Sequence, residues 1–118
     1  MKASEQIYSN LKDMFLGNVY PLVNPESEED ITYPYLVYTV INTNPEVSID
    51  GYLGYEMTYI QLDIYSKNYD TTEEITKSVI DTLDQNIKPF HYEGRNYFYE
   101  SEDQLFRQSI ECHIWHKN

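Results

Sequence analysis

Cysteine, basic residues and long apolar runs are all scarce in this chain, and each scarcity removes a class of protein. The single cysteine, Cys112, cannot form an internal disulfide. Eight lysines and arginines stand against 20 acids, for a formal charge of −12 and a pI of about 4.4. A phosphate backbone would be repelled rather than gripped, which argues against ordinary nucleic-acid binding. No stretch approaches the roughly 18 apolar residues that a membrane-spanning helix needs. The opening MKASEQIYSNLKDM also lacks the apolar run of a secretory leader, so the expectation is a soluble, intracellular protein. There is no Gly-rich phosphate loop, no nucleophile motif and no His–acid spacing of a catalytic triad. Enzyme function therefore has no positive support.

Tyrosine is what the chain has in excess, with 13 among 118 residues against 4 Phe and 1 Trp. Its ring is a large, stiff, amphipathic contact surface, which is why it is enriched where proteins meet proteins. Tyrosine also has high strand propensity, so a sheet with one wet face can carry it without further purpose. At this length one domain with one core is expected, spanning residues 1–118.

The clearest local pattern runs through residues 55–83, YEMTYIQLDIYSKNYDTTEEITKSVIDTL. Thr58, Ile60, Leu62 and Ile64 alternate with Tyr59, Gln61, Asp63 and Tyr65, as a half-buried strand requires. Thr71 and Glu74 then have capping-box spacing, and Ile75, Val79, Leu83 and Ile87 recur every four residues with Ile80 beside them. This predicts an amphipathic helix that covers a sheet. A first helix is predicted over residues 3–16, with Ala3, Ile7, Leu11 and Met14 on one stripe and Gly17 as its stop. Residues 18–34, with three prolines and the acids Glu26, Glu28, Glu29 and Asp30, read as a loop.

Apolar residues on both faces of LVYTVI, residues 36–41, predict a strand covered on both sides or placed centrally. Residues 42–54 read as a long hairpin connection. After Pro89 a short strand is expected, with Glu93-Gly94 marking a turn before it. The last strand, residues 106–116, puts Phe106, Gln108, Ile110, Cys112 and Ile114 on one face and Arg107, Ser109, Glu111, His113 and Trp115 on the other. The order α-β-β-α-β-β predicts an α+β domain: a four-stranded, mainly antiparallel sheet with two helices packed on one face.

Cys112, His113 and His116 invite a metal reading, with His91 as a fourth donor. On one strand, however, Cys112 and His113 point to opposite faces, as do His113 and His116, and a tetrahedral site needs converging ligands. Cys112 reads better as a small core residue. Asp63, on the polar strand face, is expected to be solvated or paired with a cross-strand cation. No catalytic, metal or cofactor site follows.

TYPYLVYTVI, the glycine-bearing segment after it, YIQLDIYSKNYD with its Tyr-Ser-Lys exit, the EEITKSVIDTLD helix and the closing FRQSIECHIW follow one another in an order and spacing that resemble the phage tail-completion and tail-terminator proteins of long-tailed phages and prophages. The resemblance implies a non-catalytic role in the head–tail joining region. Subunits, six in the usual case, would close into a ring that ends the tail tube and docks to the head connector. DNA would pass through as cargo without specific binding, no cofactor or membrane would be involved, and the protein would move from host cytoplasm into the virion tail or neck. A closed ring needs two different adhesive faces per subunit. The expected contact residues are Tyr52, Tyr55, Tyr59, Gln61, Asp63 and Tyr65. The alternatives are a head-closure or neck protein of the same virion region, and an acidic DNA-mimic inhibitor.

Overall fold

The computed structural model describes residues 3–27 and 30–117. Helix α1 (Ala3–Leu11) buries Ala3, Ile7 and Leu11, one residue per turn. It stops five residues earlier than the periodicity predicts, and the chain winds on through turns to Gly17. That glycine has φ +85°, and its N–H donates to the Lys12 carbonyl at 2.6 Å, which closes the turn. The change of path drops Phe15 fully into the core.

Five strands follow, with one helix between the third and fourth. They are β1 (Val19–Pro21), β2 (Tyr35–Ser48), β3 (Gly51–Ser66), α2 (Tyr69–Asn86), β4 (Phe90–Glu100) and β5 (Leu105–Lys117). The sheet order is β1-β2-β3-β5-β4, antiparallel except for the parallel β1–β2 pair. The domain is therefore α+β with two helices, but its sheet is five-stranded and mixed where four strands were expected. The extra strand lies in the segment read as a loop. Three residues are too few to show a period, and Pro21 is tolerated because β1 is an edge.

Alternation on β3 places Thr58, Ile60, Leu62 and Ile64 in the core, as predicted. Cross-strand partners Ile110, Cys112 and Ile114 of β5 extend that floor, and Val79, Leu83 and Ile87 with Ile7, Leu11 and Phe15 form its cover. Each of these large side chains contributes about 1.5–3 kcal/mol by leaving water. One ionic tie joins α2 to the sheet. Glu73 accepts from Arg95 of β4 at 2.8 Å and from the buried Gln108 of β5 at 2.9 Å.

Four further expectations are corrected. The cap of α2 is Asn68, whose side chain accepts from the Thr71 N–H at 2.9 Å, so Thr71 lies inside the first turn. β2 does lie inside the sheet, between β1 and β3, but it is covered on both faces only at its start, where Tyr35, Leu36 and Val37 are buried, while Val40 and Ile41 are exposed. The connection over residues 42–54 is not a loop, because β2 and β3 continue as paired strands to Ser48 and Gly51. Likewise β4 is one strand through Glu93-Gly94, where the register shifts by a bulge. Glycine and polar residues in these stretches marked bulges and a ribbon rather than breaks in pairing.

Candidate interaction surface

The helices cover one face of the sheet, and the odd-numbered residues of β3 populate the other. Tyr65 stacks on Tyr35 with ring centroids 4.7 Å apart, and Tyr33 adds a third ring 5.5 Å from Tyr35. Burial, reinforced by Tyr65 and Tyr33, pushes the Tyr35 phenol well above its ordinary pKa. Opposite Tyr65 on β5, Arg107 lies 4.2 Å over the Phe98 ring of β4. Burial opposes its charge, but the bond to Tyr65 and the nearby Asp63 and Glu100 carboxylates outweigh that and hold its proton more firmly than usual.

Asp63 departs from expectation. It is only 6% exposed, set between Val37 and Ser109 on the neighbouring strands, and one carboxylate oxygen accepts from Gln61 Nε2 at 3.0 Å. It is neither solvated nor ion-paired with a cross-strand cation. Farther along the same face, Tyr59 packs on His113 at 5.0 Å and His91 stacks on His113 at 4.5 Å. A Glu93 oxygen lies 2.5 Å from His113 Nδ1. Cys112 points into the core and His116 to the helix side, where its Nε2 lies 2.7 Å from the Thr58 hydroxyl. Among the described residues no three His, Cys, Asp or Glu side chains converge on a metal position.

The six residues predicted for contact therefore separate into two groups. Tyr59, Gln61, Asp63 and Tyr65 share one face of β3 but are half-buried or buried by their own neighbours, so little of them is open. Tyr52 and Tyr55 are each 49% exposed and belong to a different feature. Beyond Tyr55, which pairs with Lys117, β3 has no partner among the described residues but β2, and the two strands run on as a ribbon. It carries Val47, Ile49, Tyr52 and Leu53, all exposed, and it helps stretch the molecule to 53 × 25 × 24 Å.

Sequence reasoning missed Val47, Ile49 and Leu53, because a proline, two glycines and polar neighbours hide their strand character. It also missed the exposed Tyr97, Phe98 and Tyr99 on edge strand β4. A run of aromatics in a strand after Gly94 was the available signal. Exposed apolar side chains cluster on the ribbon and the β4 edge, and Leu16, Leu22 and Val23 are exposed near β1 as well. Such contiguous patches mark contact surfaces.

The structure is thus a single α+β domain with an aromatic sheet face and a projecting ribbon. The family model described as "Tail completion protein gp17" matches residues 13–117, nearly the whole chain. The chain belongs to this family of phage tail-completion proteins, structural parts of the virion tail. No curated protein matches it.

Proposed function

We propose that this protein closes the end of the phage tail as a ring of identical subunits, six in number, which ends the tail tube and presents a docking surface to the head connector. The family match over residues 13–117 carries this reading, because the matched span includes the ribbon, the open sheet face and the β4 edge. The surface supports it independently. The ribbon and the β4 edge are two adhesive patches of different composition, and a head-to-tail ring needs two unlike faces per copy. In this reading the subunit contact centres on Tyr52 and Tyr55, while Tyr59, Gln61, Asp63 and Tyr65 stiffen the strand that carries them. Assembly takes place in the host cytoplasm, and DNA passes the acidic ring without being bound.

Native mass spectrometry of the purified protein, followed by electron microscopy after mixing with tail tubes, tests the proposal. Closed oligomers seated on tube ends are expected. A strict monomer that ignores tubes would overturn it, and binding to filled heads instead would move the protein to a head-closure role.

A further inference from the structure

The ribbon has a shape and charge that call for a partner, and the same molecule carries a groove that answers both. A two-stranded ribbon is marginally stable in water on its own, yet this one exposes Val47, Ile49 and Leu53. Its charged residues are Glu46 and Asp50, and no lysine or arginine falls between residues 42 and 57. At the ribbon's root lies a groove of about 350 Å³ lined by Tyr55, Pro89 and Trp115, with Lys88 and Lys117 at its margin. These are two of only eight lysines and arginines in a chain of charge −12, and among the described residues neither has an ion-pair partner. An acidic, apolar tip and a basic, aromatic groove are complementary.

The two cannot meet within one molecule, because a paired ribbon does not fold back on its own root. From Tyr55 to the turn the ribbon spans roughly 20 Å, at about 3.4 Å per residue. Five strands about 4.8 Å apart make a sheet roughly 19 Å wide. The ribbon's length thus matches one sheet width, the spacing of copies set side by side. We infer that the ribbon tip of each subunit docks in the Lys88–Lys117 groove of the next copy. This inference rests on the ring reading and supplies its contact.

The test uses full-length chains. Cys112 is buried, so Ile49→Cys on one chain and Lys88→Cys on another are the only accessible thiols. Oxidation of the mixture under conditions where wild type associates should yield the mixed disulfide dimer, and the double variant a covalent ladder ending at ring size. Trp115, the only tryptophan, should shift its emission to the blue on association. Lys88→Glu with Lys117→Glu should raise the association midpoint about fivefold or more, and adding Glu46→Lys with Asp50→Lys should restore it.

A variant with residues 46–53 replaced by Asn-Gly, folded by circular dichroism, should stay monomeric with unshifted Trp115 emission. If that variant forms rings as wild type does, or only tip-to-tip disulfides appear, the docking is wrong and the ring stands. If wild type never associates, even on tubes, the ring reading falls and the docking with it.

Discussion

Cys112 sits on the core face of β5 with Sγ 3.7 Å from the Ile60 carbonyl oxygen. Burial, with Glu93 nearby, pushes its thiol up to about 12 from an ordinary 9.0. Raised in the folded state, the group favours folding fully below pH 9 and loses that contribution as pH climbs through the folded value. Two outcomes follow. Ellman's reagent should leave the native protein unlabelled at pH 8 and modify one thiol after urea unfolding. Urea titrations between pH 9 and 11 should also fall less steeply for Cys112→Ala than for wild type. At the start of α2, Asn68→Ala should cost about 1 kcal/mol in urea unfolding, while Thr71→Ala, whose N–H is the donor rather than its side chain the cap, should cost a few tenths. Equal losses would return the cap to Thr71.

Elements differ in how well the residues announce them. β3, β5 and α2 were legible because each buries one regular face, at spacing two or four, for the length of several repeats. β1 was not, since three residues hold no repeat. The ribbon was illegible for another reason: among the described residues its strands pair only with each other, so no apolar periodicity is imposed on it, and Pro45, Gly51 and Gly54 imitate a loop. The candidate surface shared this fate. Tyr52 and Tyr55 were found through tyrosine content, but Val47, Ile49 and Leu53 emerge only once the strands are seen to continue. Burial of Asp63 depended on the short neighbours Val37 and Ser109, a cross-strand register no single segment reveals. Hydrogen exchange should separate the two ends of β3. Amides of residues 60–64 are expected to exchange only with global unfolding, and those of residues 48–53 orders of magnitude faster. Uniform protection in a monomer would contradict an unpartnered ribbon.

Taken as one body, the molecule joins a dense helix-on-sheet core to a net charge of −12. The described residues include no helix long and apolar enough to cross a membrane. An electrophoretic shift assay should show no retention of duplex DNA even near 50 mM salt, where counterion release most favours binding. A shift at micromolar protein would mean that the few lysines and arginines act together as a phosphate track.

The buried floor of β3 ends at Thr58, whereas β2 and β3 continue past it. In the proposed docking, folding and partner choice fall to separate stretches of the same two strands. Grafting the ribbon of another family member onto this body should consequently transfer compatibility with that member's subunits while leaving the melting temperature of the body in place.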